Sequence, residues 1–291
     1  MRVDEAVEQF LTDLTADHRS HHTVAAYRRD LTVFTRFVGD LNITEITPAT
    51  LTAFMASQSV QNALCGTQRS KATINRYRVS LKALFAWGAA RWLVDRNPTA
   101  ILKCRRHRAA PPDVLSTTEI DRLLRYDFAG SQAHRDRALL AFMLSTGCRL
   151  GETTNLDCRD IDWDTGRVTL RSPKGGEPET VTAGDQLLGM LRPLAASVPP
   201  GHALFRTGTD RRLSTRQVQR IVALRCQEAG IRKRITPHTL RHTFATRLYN
   251  ATGDLRLVQV ALRHAHVTTA EIYAQVDPRR LAEARTAAGA P

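Results

Sequence analysis

The spacing of apolar residues restricts the fold of this chain more than any other feature. Through the first hundred residues they recur at steps of three and four, the period that returns side chains to one face of an α-helix. Val7, Phe10, Leu11 and Leu14 form one stripe over 4–16; Val24, Tyr27, Leu31, Phe34 and Val38 form a second behind Ser20. Thr47-Pro48 starts a third helix with Leu51, Phe54 and Met55, since Thr caps free amides and Pro suits the first helical position. Ile74, Tyr77, Leu81, Leu84 and Phe85 line a long fourth helix over 73–91. Only between 161 and 183 does the period fall to two, where strand, Asp-Thr-Gly turn, strand and the later EPETVTA predict a small antiparallel three-stranded sheet. Helical patterns return from 185. The expected fold is therefore mainly α: a helical bundle over 1–104, then a mixed α+β domain over 115–291.

Between them lies KCRRHRAAPPDV at 103–114, a basic, proline-containing break with 105–114 as the linker proper. Extended and positive, it suits a path along a phosphate backbone, and Arg105 and Arg106 are its candidate contacts. Charge makes the same point on a larger scale. Lys and Arg number 42 against 28 Asp and Glu, a net +14. Through Pro112 there are 16 basic and 9 acidic residues, and beyond it 26 and 19, so each part is +7. A basic excess carried by both parts implies a polyanion as partner, most simply double-stranded DNA. In the first part no acid falls between Glu45 and Asp95. Arg69, Lys71, Arg76, Arg78 and Lys82 fall in that interval and are candidate DNA contacts; the plainer reading is a solvated helix face. No catalytic cluster appears there, and the region reads as a binding module.

Other classes are disfavoured. No run reaches the roughly eighteen apolar residues of a membrane span, and the acidic N-terminus lacks an apolar signal core, so a cytoplasmic protein is expected. Five cysteines without CxxC spacing read as reduced thiols. There is neither a P-loop nor a carboxylate cluster for magnesium, so no cofactor is expected.

Chemistry concentrates in the second part. After the strongly apolar helix expected over 134–145, Gly147 precedes Cys148-Arg149-Leu150-Gly151-Glu152. Arg149 stands at a junction after a glycine turn, with Glu152 three residues on to hold it. Lys174 sits in Pro173-Lys174-Gly175-Gly176 between two expected strands; such a lysine is ordinarily a solvated turn residue. With 37 Arg and 5 Lys in the chain it is nonetheless conspicuous, because arginine is too weak an acid to give up a proton near neutral pH. Thr236-Pro237 starts a helix with Leu240, Phe244 and Leu248 as its buried stripe. His238 and Arg241 project together beside that stripe near the helix N-terminus, which attracts anions and lowers the pKa of an imidazole. His238 and His242 also have the i, i+4 spacing of a zinc-protease motif, but Thr239 stands where that motif needs Glu. No metal is expected. His264 and Tyr273, nine residues apart, close the stretch.

Taken together, T-G-C-R-L-G-E at 146–152, P-K-G at 173–175, H-T-L-R-H at 238–242 and His264 with Tyr273 resemble the motifs of the tyrosine recombinases, the phage-integrase family. The layout is similar to that of the compact Xer-type members over essentially the whole chain. The resemblance implies a SAM-like core-binding bundle and a catalytic domain. It implies that Arg149 and Arg241 grip the scissile phosphate, that Lys174 reaches the leaving group, and that His238 assists proton transfer. His264 then hydrogen-bonds the phosphate, Tyr273 is the nucleophile, and Glu152 accompanies the first arginine. It further implies a 3′-phosphotyrosine intermediate, and strand exchange through a Holliday junction in a homotetramer on DNA, alone or with a related recombinase. A helix expected in the tail over 277–288 would dock on a neighbouring subunit. Two positions depart from the pattern: Arg263 stands where relatives usually have Gly, and Glu179-Thr180-Val181-Thr182 lacks the common Arg and Pro. A type IB topoisomerase shares the reacting groups, and an idle DNA-binding protein of the same fold is the other rival.

Overall fold

The computed structural model describes residues 1–63, 65–104, 113–171, 178–196 and 198–263. The chain divides into two compact units, Met1–Ala109 and Ala110–Pro291.

The first unit is built on α1 (Val3–Ala16), α2 (His21–Val38), α3 (Pro48–Ala56), the single turn α4 (Gln58–Gln61) and α5 (Lys71–Ala90). Ser20, Thr47 and Ser70 each accept an amide three residues ahead, satisfying one of the free donors at their helix starts. The apolar stripes then meet in one core, in which Phe34, Phe54 and Phe85 are fully buried and Phe34 meets Phe54 edge-on at 5.0 Å between centroids. One charge enters this core. Asp30 of α2 is 1% exposed and receives Arg76 Nε (2.8 Å) and Nη2 (2.6 Å) and Ser80 Oγ (3.0 Å), all from α5. Truncating such a buried carboxylate leaves its donors unpaired, so the pair fixes how α2 and α5 are registered more than it adds net stability.

The second unit contains α6 (Thr117–Arg125), α7 (Ala133–Thr146), α8 (Leu150–Asn155), β1 (Arg167–Leu170), β2 (Glu179–Thr182), α9 (Asp185–Ala195), α10 (Thr215–Glu228), α11 (Pro237–Thr252) and α12 (Leu255–Leu262). Its axis is α7, whose run Leu139–Leu144 is buried on every side because α6, α9, α10 and α11 all pack against it. A helix apolar all round is the sequence signature of that position. Asp136, near the start of α7, is 2% exposed and paired with Arg225 of α10 at 2.7 Å, which ties the far end of α7 in place.

The sheet differs from expectation. β1 and β2 are antiparallel, with Arg167 opposite Thr182 and Leu170 opposite Glu179, and among the described residues there is no third strand. Ile161, expected in the first strand, makes a single bridge to Val168. A 3₁₀ turn at Cys158–Asp160 precedes it, and immediately after it Asp162 Oδ1 accepts the amides of Asp164 (3.0 Å) and Thr165 (3.1 Å). That side-chain turn competes with the ladder and leaves no extended stretch to pair.

No described helix is long and apolar enough to cross a membrane, and all five cysteines are free thiols. The tail helix expected over 277–288 and the linker contacts Arg105 and Arg106 lie outside the described residues.

Candidate active site

Gly147 is the pivot of the site. It ends α7 in the left-handed conformation (φ 61°), and a Cβ there would lie 2.3 Å from the Phe244 ring of α11. Glycine meets both demands, the torsion and the close approach. With α11 seated so near, the carbonyl of Gly147 accepts a hydrogen bond from Arg241 Nη1, while Nη2 of the same guanidinium donates to the carbonyl of Leu262, the last residue of α12. Carbonyls at helix C-termini carry partial negative charge, so two helix ends hold this cation. Arg241 is 4% exposed, and its direction is fixed before any ligand arrives.

Arg149 is reached two residues after Gly147, as the N-cap of α8. Its amide donates to Glu152 Oε2 (2.8 Å), its Nη1 to Glu152 Oε1 (2.7 Å) and its Nη2 to the Arg263 carbonyl (2.8 Å). The carboxylate thus caps the helix and orients the guanidinium at once. Burial works to raise the Glu152 pKa, but the Arg149 amide, the Arg263 charge and the Arg149 guanidinium outweigh it and hold the carboxyl below its usual range. The Arg149 side chain remains 46% exposed, open to a ligand.

His238 lies in the first turn of α11, behind the Thr236 cap that accepts the Thr239 amide (3.2 Å). Desolvation, then the Arg241 charge, keep its pKa below the ordinary imidazole value, so the ring is neutral at pH 7. His242 stacks edge-on against His238 at 4.1 Å between centroids. Among the described residues no group of three or more His, Cys, Asp or Glu is placed to hold a metal.

Arg149, His238 and Arg241 line one cavity of about 580 Å³, with Cys148, Gly151, Gln219 and Pro237 among its walls. Two arginines and a neutral histidine facing one space offer paired guanidiniums to an anionic group and an imidazole able to take a proton. Burial pushes the Cys148 thiol up to about 11, so at neutral pH it stays protonated and forms an inert wall. Gln219 escaped sequence reasoning: the basic amphipathic segment 211–225 marked a helix, but nothing in it showed which face turns to the cavity. Lys174, His264 and Tyr273 lie outside the described residues.

In the first unit the candidate DNA contacts divide. Lys71 and Arg78 line a groove of about 450 Å³ together with Lys103, and Lys82 follows them on the same face of α5, one further turn on. Arg76 lies about 140° round the helix, at about 100° per residue, and its guanidinium is committed to Asp30. Arg69 donates from Nε to the Asn62 carbonyl (2.8 Å) and lies over the Tyr77 ring.

Comparison with known proteins agrees with this geometry. The phage integrase family matches residues 113–280, and the family's N-terminal SAM-like domain matches 7–91. The chain is 31% identical over 293 residues to the tyrosine recombinase XerC of Serratia marcescens, covering 98% of this chain and 95% of that one. It is 32% identical to the tyrosine recombinase XerD of Bifidobacterium longum (strain NCC 2705), covering 95% and 94%. Among solved structures, XerA recombinase aligns over 99% of both chains at 27% identity with a TM-score of 0.55. The Tn1549 transposon integrase in complex with transposon right end DNA aligns over 100% of both at 17% identity with a TM-score of 0.78, a likeness of fold. Two family domains in order, a relative matched nearly end to end, and a cavity walled by the motif arginines and histidine lead to one conclusion: this chain belongs to the phage integrase family of tyrosine recombinases.

Proposed function

We propose that this protein is a site-specific DNA recombinase that cuts and rejoins double-stranded DNA through a covalent phosphotyrosine. The observation that carries the reading is the single cavity shared by Arg149, His238 and Arg241, which come from two segments ninety residues apart in sequence.

In this reading the non-bridging oxygens of the scissile phosphate lie against the guanidiniums of Arg149 and Arg241. Attack builds negative charge on those oxygens, and donors already fixed by Glu152, Gly147 and Leu262 need not reorganise to meet it. Tyr273 supplies the nucleophile. A phenol with pKa near 10 needs help losing its proton, and His238, held neutral, is the group that accepts it. Lys174 protonates the departing 5′ oxygen, and His264 hydrogen-bonds the phosphate. One P–O bond forms as another breaks, so the 3′-phosphotyrosine keeps the diester's energy and rejoining needs no nucleotide. The unit Met1–Ala109 binds DNA through Lys71, Arg78 and Lys82, the linker adds Arg105 and Arg106, and the residues beyond it form the catalytic domain. Strand exchange then proceeds through a Holliday junction in a tetramer, alone or with a related recombinase. Full-length similarity to recombinases favours this reading over a topoisomerase.

A nicked suicide duplex tests it. Wild-type protein is expected to accumulate a covalent DNA adduct, and Tyr273→Phe protein none. An adduct that survives the substitution removes the nucleophile and with it the mechanism.

A further inference from the structure

Arg263 is an arginine in a costly place. It closes α12 at φ 55° and ψ 48°, the left-handed region that residues with a Cβ avoid, and its side chain is only 7% exposed. Capping a short helix requires neither an arginine nor its burial. The contacts at its two ends supply the reason. Its carbonyl accepts Arg149 Nη2 (2.8 Å). Its Nη2 donates to Glu152 Oε2 (2.5 Å), and its Nε lies 2.7 Å from Glu179 Oε2. The last is an ion-pair contact without hydrogen-bond alignment. Glu152 holds Arg149 through its other oxygen, and Glu179 opens β2 directly opposite Leu170, the end of β1. One side chain therefore joins the start of α8, the end of α12 and the end of the sheet. Without it the buried Glu152 keeps only Arg149 as its cation among these contacts, and Arg149 is the residue that also faces the cavity.

We infer that Arg263 is a positioning residue for DNA cleavage. Through Glu152 and its own carbonyl it fixes the Arg149 guanidinium against the phosphate, and through Glu179 it registers that guanidinium to the β1–β2 sheet. The inference deepens the proposed function and rests on the phosphate-gripping role of Arg149.

The test compares single-turnover cleavage by saturating protein on two suicide duplexes, one with the natural phosphodiester and one with a methylphosphonate at the scissile position. The methylphosphonate lacks one non-bridging anionic oxygen and so depends less on Arg149. Arg263→Gly keeps the left-handed turn and the carbonyl and removes only the guanidinium. It is expected to slow phosphodiester cleavage on the order of ten- to a hundredfold, the usual effect of losing an outer support, with half-site affinity within about twofold. Arg263→Lys recovers part of the rate. Glu179→Gln, on an exposed side chain, gives a smaller loss, and the double variant is no slower than Arg263→Gly alone, because both remove one connection. Arg149→Ala loses less on the methylphosphonate, and the Arg263→Gly penalty shrinks with it. If the Arg149→Ala penalty shrinks and that of Arg263→Gly does not, or if the Arg263 and Glu179 penalties add, the inference is overturned. If the Arg149→Ala penalty is the same on both substrates, the role given to Arg149 fails, and this inference fails with it. Should Arg263→Gly not fold, the comparison of Glu179→Gln and Arg263→Lys on the two duplexes decides the matter in the same way.

Discussion

The parts of the chain before and after Pro112 have the same net charge, +7 each, and use it in opposite ways. In the first, Lys71, Arg78 and Lys103 line an open groove, and among the described residues no carboxylate takes up their charge. In the second, Arg225 and Arg241 are under a tenth exposed, as is the Arg263 side chain, and each is held by carboxylates or backbone carbonyls. Charges in water attract a polyanion over distance but are screened and mobile. Charges withdrawn from water and fixed in direction are expensive to build, and they act strongly on charge that develops within reach. The lesson is that net charge reports a partner, while burial and anchoring report chemistry.

Arg241→Ala should break the comparison most visibly if it is wrong. Its expected effect is a loss of single-turnover cleavage on the order of a hundred- to a thousandfold, with half-site affinity in a gel-shift titration changed by less than about threefold. If affinity collapses instead, the buried arginines are binding charges like the exposed ones. Gly147→Ala comes next, because it disturbs the anchor and not the charge. The added methyl meets Phe244 and the left-handed torsion together, and a stability loss of roughly 2–4 kcal/mol is expected in urea unfolding. A neutral result would mean that α11 yields easily, and that the carbonyl holding Arg241 is not fixed. The smallest effect sharpens the other side. Replacing Lys71 or Arg78 by Ala should lower the slope of log affinity against log salt by about one each. Arg76→Ala should leave that slope unchanged while reducing stability, since Asp30 already consumes its charge.

Much of this was legible in the residues alone. The steps of three and four placed α1, α2, α3 and α5, and the strongly apolar stretch over 134–145 marked the helix that ends at Gly147, though not its place as the axis of the second unit. Thr236-Pro237 announced α11, and Arg149, His238 and Arg241 emerged as candidates by type and spacing. Other features were not legible. Nothing in IDWDTG showed that Asp162 would turn the chain before Ile161 could begin a strand. The basic residues of α5 look alike in sequence, yet Arg76 and Lys71 serve different ends because a carboxylate 46 positions earlier in the chain waits for only one of them. Arg263 and Glu179 stood out singly as departures from the family pattern; that they face each other across 2.7 Å is a fact of three dimensions.

Local order, then, belongs to the sequence, because helix period, caps and glycine turns depend on residues within a few positions of one another. So do the identity of the candidate phosphate-binding groups and the sign of the charge. The tertiary structure alone decided which cations are spent on internal carboxylates and which stay available, and which carbonyls aim Arg241. Those outcomes depend on groups brought together from far apart in the chain, where an ångström of approach and the exclusion of water set the strength of each interaction.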